Sequence, residues 1–262
     1  MPFVLIIFFA ILINPIPFPI ATNRWTTAYY RYVEALPSGS LVLLSPDFVA
    51  AGYTENGYTG EAMLKQLWRK GADVIIVGYQ AESPMMADKM LLRLNDWIKA
   101  HNLVYGMDYV SLPMVTGLEV GAAALAQKGK DLFSVDVYGT PISQIPIMQR
   151  FTNYASINLC IGMGGRATTG YYISHWFIPY GVRVGDAGAT LGLGGSIATF
   201  DKGQIVGAVV GLTGTAEYES LIGEFSVATK LVGTLNAAVL TMVGSVIIIN
   251  INFVLKKFGR KT

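Results

Sequence analysis

Asp73-Val74-Ile75-Ile76-Val77-Gly78-Tyr79 is followed by Pro84–His101, and this pair decides how the chain reads. The first run is apolar and rich in β-branched side chains, the composition of a strand covered on both faces. The second reads as a helix, with proline in its first turn, where the missing N–H is tolerated. Working outward, Trp25–Leu36 looks helical and ends at Pro37-Ser38-Gly39. Ser40–Ser45 is a short buried strand, and Thr59–Lys70 is a helix with Ala62, Met63, Leu67 and Trp68 at helical spacing. Tyr109–Leu112, Ile157–Ile161, Val182–Val184 and Ile205–Leu212 read as further strands, with helices over Leu118–Gln127 and Thr168–Tyr180. Asp131–Phe151 reads as irregular, with prolines at 141 and 146. Strands alternating with helices predict one α/β domain over residues 21–230, Rossmann-like and three-layered, its mostly parallel sheet covered on both faces.

Membrane segments flank that domain. Of 262 residues only 14% are charged, against about 25% in a soluble protein. Leu231–Leu255 holds 25 residues without a charge, bracketed by Lys230 and by Lys256, Lys257, Arg260 and Lys261. As a helix it reaches about 37 Å, enough to cross a hydrocarbon core about 30 Å thick with some tilt. The positive-inside bias puts the tail, residues 256–262, in the cytoplasm and the domain on the extracytoplasmic side of the cell membrane. At the other end Phe3–Ile13 is continuously apolar and runs into Asn14-Pro15-Ile16-Pro17-Phe18-Pro19-Ile20. Prolines at alternate positions cannot continue a helix. Residues 1–20 therefore read as a retained anchor, with a signal sequence as the alternative; neither a basic leader nor an A-x-A site is present.

Four of the 19 basic residues lie in the final seven positions, so the middle carries 15 against 17 acidic residues, a net charge of −2. That gives no electrostatic case for nucleic acid. The single cysteine, Cys160, excludes an intramolecular disulfide and reads as a buried thiol.

Glycine is the most suggestive residue for chemistry. Gly162-Met163-Gly164-Gly165-Arg166-Ala167 follows a strand and precedes a helix, matching G-x-G-x-x-G/A, whose glycines let backbone N–H groups approach a phosphate. Asp186 comes 24 residues after Gly162, near where a ribose-binding carboxylate would stand. Gly162, Gly164, Ala167 and Asp186 are thus candidate nucleotide-binding residues. The plainer reading is a structural turn, because the motif sits at a late strand and an exterior compartment offers little NAD. Gly194-Gly195-Ser196 is a degraded nucleophile elbow without an entering strand. The only histidines are His101 and His175, and His175 lies among Tyr171, Tyr172, Trp176 and Phe177, a packed setting. Two histidines and one cysteine make no standard zinc site. Asp47, Glu82 and Asp186 each follow a strand, as topology alone would arrange. No catalytic residue, metal or cofactor is assigned.

The last hydrophobic segment carries its own pattern. Gly233, Asn236, Ala237, Leu240, Gly244, Ile247 and Ile251 share roughly one helical face, and Asn236, Val243 and Asn250 recur every seven residues. Small residues allow close helix approach, and amides hydrogen-bond between helices in lipid. Gly233, Asn236, Gly244 and Asn250 are therefore the candidate packing residues, toward another copy or toward the chain's own first segment.

Several stretches resemble a family of uncharacterised prokaryotic membrane proteins. They are Asn14-Pro15-Ile16-Pro17 with Trp25, Leu36–Ser40, Tyr138–Met148 and Gly211–Glu219. The resemblance implies an α/β domain between two terminal anchors and no assigned activity. It marks Tyr138–Met148 and Gly211–Glu219 as fixed loops shaping a cleft or a subunit contact. The expectation is a membrane-anchored structural or assembly protein that meets lipid and forms homo-oligomers. A small-ligand or nucleotide-binding domain, possibly enzymatic, is the alternative; an accessory subunit of a larger membrane complex is another.

Overall fold

The computed structural model describes residues 21–258. The expected first anchor, residues 1–20, and residues 259–262 of the basic tail lie outside the described residues.

Six strands make one sheet in the order β3-β2-β1-β4-β5-β6, with every neighbouring pair parallel. They are β1 Leu41–Asp47, β2 Asp73–Ile76, β3 Tyr109–Ser111, β4 Leu159–Gly164, β5 Arg183–Gly188 and β6 Ala208–Val210. β1 is buried at every residue, as a strand in the middle of a parallel sheet must be. Its side chains alternate between two cores. Val42 and Leu44 enter one with Met63, Leu67 and Tyr218; Leu41 and Leu43 enter the other with Leu125, Tyr172 and Trp176. Helices cover both faces, so the expected α/β layering with a parallel sheet is what the chain forms.

The helices in chain order are α1 Arg24–Glu34, α2 Tyr53–Arg69, α3 Ser83–Arg93, α4 Asn95–Ala100, α5 Glu119–Lys128 and the short α6 Pro146–Gln149. Then come α7 Arg166–Tyr172, α8 Ile178–Tyr180, α9 Leu193–Asp201, α10 Gly211–Ile222 and α11 Val227–Phe258. The single helix expected over Pro84–His101 is broken at Leu94, whose buried side chain sits at φ −89°, ψ 0°. Between α7 and α8 the chain widens into a π-helical turn, Ile173–Phe177. Pro179 explains the widening: it cannot donate the α-helical bond one turn back.

Two helices differ from the sequence expectation. No helix is expected over Gly194-Gly195-Ser196, yet Leu193–Asp201 is helical. Ile205–Leu212 was expected to be a strand and Gly211–Glu219 a fixed loop. Only Ala208–Val210 pairs, and at Gly211 (φ +64°) the chain turns into α10. Glycine and threonine are poor helix formers, and here tertiary bonds overrule them. Thr215 Oγ1 meets Thr59 Oγ1 of α2 at 2.5 Å, and the Tyr218 hydroxyl donates to Gln66.

α10 and α11 form an antiparallel pair closed by Gly223 (φ +71°). Near the end of α10, the buried Glu219 carboxylate accepts from Thr229 N at 2.9 Å, Thr229 Oγ1 at 2.6 Å and Ser226 N at 3.2 Å. It thereby satisfies first-turn donors of α11. One turn earlier Ala216 packs with Ala228 and Val232, and Leu212 leans on the same cluster. The helix was expected over Leu231–Leu255 and instead runs unbroken from Val227, its first turns resting on the domain. Residues 227–256 are long and apolar enough to cross a membrane.

Candidate functional site

Strand order reverses between β1 and β4, where ligands of open α/β sheets bind at the carboxyl ends of the strands. The last residues of the two strands, Asp47 and Gly164, pair across this point. Gly164 has φ +92°, and a Cβ there would stand 2.4 Å from the Asp47 carbonyl oxygen. Gly162 lies inside β4, and a Cβ there would meet Thr169 Oγ1 at 2.4 Å. Two glycines of the motif thus sit where strand, helix and neighbouring loop crowd together. Gly165 is exposed at the head of α7, with nothing within 4 Å of its would-be Cβ. Ala167 is exposed one residue into the helix.

Asp47, which the sequence marks only as one of three acids at strand ends, ties this edge together. Its Oδ1 accepts from Tyr79 N at 2.7 Å, Gln80 N at 3.2 Å and Ser83 Oγ at 2.5 Å. Its Oδ2 accepts from Thr168 Oγ1 at 2.6 Å. One carboxyl therefore joins β1, the loop after β2, the start of α3 and the first turns of α7. Burial raises its pKa above the ordinary value of 3.8, while those four donors oppose the rise. Beneath it the Ser45 hydroxyl donates to the Val77 carbonyl at 2.5 Å and meets the Tyr172 hydroxyl at 2.5 Å.

Asp186 lies within β5, not beyond its end. It is buried, with Oδ1 accepting from Thr169 Oγ1 at 2.6 Å and Oδ2 from Ser196 Oγ at 2.5 Å. Arg166 lies over Gly192 and Gly195 and donates from Nη1 to Ser196 Oγ at 3.3 Å. A Cβ on Gly195 would be 2.5 Å from Arg166 Nε, so α9 carries glycine where the guanidinium rests. The structure brings Gly162, Gly164 and Asp186 to one end of the sheet, with the Asp186 carboxyl bonded inward to Thr169 and Ser196.

Burial raises the Asp186 pKa, and the bonds from Ser196 and Thr169 and the Arg166 charge offset part of the rise. The native carboxyl then holds its proton more firmly than the unfolded chain does. Its contribution to stability is full below the ordinary 3.8 and declines as pH climbs through the raised native value. The Asp186→Asn variant should therefore gain in melting temperature relative to the parent as pH rises from about 4. A gap between the two that stayed constant with pH would refute this linkage.

The other candidates resolve simply. His175 pairs on the surface with Glu119 at 2.9 Å, and the Cys160 thiol is fully buried, with its pKa pushed up by burial. Among the described residues no three His, Cys, Asp or Glu side chains converge on a metal-sized site. Glu82 instead accepts from Ala50 N at 2.9 Å. A cleft of about 440 Å³ opens elsewhere, past β3, between Pro113–Thr116, Val120, Gly121 and Leu132–Val135. Tyr138, in the segment expected to shape a cleft, lines a smaller hollow of about 200 Å³ with Asp88, Tyr105 and Tyr109.

No family model, no curated protein and no solved structure matches this chain.

Proposed function

We propose that this chain is a membrane-anchored assembly component whose α11 spans the bilayer and binds further copies of itself. One observation carries the reading: Asn236 and Asn250 are exposed on a helix otherwise fit for lipid. Asn250 turns its Nδ2 back to the Val246 carbonyl at 2.8 Å, and Thr241 and Ser245 likewise bond to their own helix. An amide facing hydrocarbon is better satisfied by a partner helix, a contact worth about 0.6–2 kcal/mol. At about 100° per residue, Val243 and Asn250 continue the side of α11 that bears Val232. Gly233 and Gly244 lie about 60–80° further round the helix than Asn236, on the adjoining flank, where small residues let a second backbone approach. By the positive-inside bias, the basic residues from Lys256 onward support a cytoplasmic end for the helix and an external domain. The likeness to two-anchor membrane proteins adds an architecture to this reading and no activity.

The double variant Asn236→Leu, Asn250→Leu should weaken self-association at least about tenfold, the equivalent of 1.4 kcal/mol. Sedimentation equilibrium in density-matched detergent reads this directly. An unaltered chain that stayed monomeric at every concentration would sink the assembly reading.

The strand order favours a second reading, a small anionic ligand held above Gly165 between β1 and β4. Gly165→Val is the right probe, since it fills the open space without touching the packed Gly164. A thermal shift with NAD, ATP or a nucleotide sugar, lost in Gly165→Val, is the result this reading expects. No shift with any of the three removes it.

A further inference from the structure

The direction in which α11 leaves the domain decides which edge of the sheet lies nearest the lipid. Contacts between α10 and α11 run in opposite chain directions: Glu219 bonds Thr229, and Ala216, one turn earlier in α10, clusters with Ala228 and Val232. Continued at the same pace, α11 draws level with Leu212 near Asn236. Leu212 is in the first turn of α10, which begins directly after Val210, the last residue of β6. That level is the C-terminal edge of the sheet, the edge holding Asp47 and Gly164. From Asn236 to Leu255 the helix extends about 28 Å further, close to the hydrocarbon thickness of about 30 Å. No spacer stands between the domain and this stretch, because α11 is one helix from Val227 to Phe258.

A second observation lies at the same edge. Leu191, between β5 and α9, is 101% exposed, and Val49, just after β1, is half-exposed. Thr190 N donates to Glu55 at 2.8 Å, and the Thr190 side chain lies against Gly211 at the head of α10. Leu191 therefore stands beside the place where α11 departs. Large apolar side chains are also exposed at the opposite edge, Ile178 among them, so exposure alone selects neither edge. The course of α11 selects between them.

We infer that the C-terminal edge of the sheet is seated on the bilayer surface, with Leu191 and Val49 dipping into the lipid interface. The inference rests on the proposed spanning of α11. Its partner is the lipid surface itself. Strands spaced about 4.8 Å apart put the β1/β4 crevice about 10–15 Å from β6, inside the footprint of a domain held this way. The crevice then opens toward headgroups, and Ile178 points away from them.

Cysteine placed singly at Leu191, Ile178 and Ile249 in the full chain, labelled with a nitroxide and reconstituted in phosphatidylcholine–phosphatidylglycerol vesicles, tests this. The unsubstituted chain, whose Cys160 is buried, supplies the background. Collision with a water-soluble nickel chelate should be severalfold lower at position 191 than at 178, and lowest at 249. Equal collision at 191 and 178, with 249 still shielded, overturns the inference and leaves the spanning helix intact. Free collision at 249 shows that α11 does not span, and the inference falls with it.

Discussion

Gly164→Val should lower the melting temperature by about 8–16 °C, since each kcal/mol moves a domain of this size by about 2–4 °C. Two costs combine. At φ +92° a side chain is strained whatever the space around it, at about 1–3 kcal/mol. The new Cβ would also sit 2.4 Å from the Asp47 carbonyl and 2.8 Å from Phe48 Cβ, and overpacking of that kind costs about 1–3 kcal/mol. The sum, about 4 kcal/mol, is a large share of a typical stability of 5–15 kcal/mol. Gly165→Val is the matched control: no atom lies within 4 Å and φ is −77°. Circular-dichroism melts of both variants decide it. If the two melted alike, the close approach of β1 and β4 would not be what Gly164 permits.

Asp47→Ala should be about as damaging, by a different route. It strands the Tyr79 and Gln80 amides and the Ser83 and Thr168 hydroxyls in a buried place. An unsatisfied buried donor costs about 1–3 kcal/mol. The hydroxyls can turn to other acceptors and the Gln80 amide keeps Ser83 Oγ at 3.2 Å, but the Tyr79 amide is left bare beside the emptied space, so a loss of about 2–4 kcal/mol is expected. Asp47→Asn keeps an acceptor oxygen and the shape, and it removes the burden of a buried charge, so it should cost well under half as much. Hydrogen exchange gives the sharper readout. In Asp47→Ala the amides of Tyr79 and Gln80 should exchange far faster, while those of β3 hold. Protection unchanged at those two amides would mean that Asp47 does not pin the loop.

The readable parts of this fold were those in which local pattern and final environment agree. Val74–Val77 is apolar because both faces of its strand are covered, and Leu41–Leu44 reads as buried for the same reason. α9 and α10 were illegible for a physical cause. Gly194, Gly195, Gly211, Thr213 and Gly214 speak against a helix locally, and the compensating contacts come from Arg166, Thr59 and Gln66, far away in sequence. Asp47 was visible only as an acid after a strand. Its partners lie 32 to 121 residues along the chain, beyond any spacing rule. The glycine motif was legible as a tight turn. What Gly164 permits, the close approach of β1, and the inward bonds of Asp186 to Thr169 and Ser196 depend on contacts that no local spacing encodes.

The unbroken course of α11 has a mechanical corollary. With Glu219 clamping its first turn and Ala228 and Val232 locked on α10, the helix cannot swivel independently of the sheet. With α11 spanning a bilayer as proposed, spin about the membrane normal and the compass bearing of the domain would become a single variable. Were a second copy to grip the helix as proposed, the heads of both molecules would be turned to a set azimuth, so a contact formed in the bilayer would also dictate the symmetry of what stands above it.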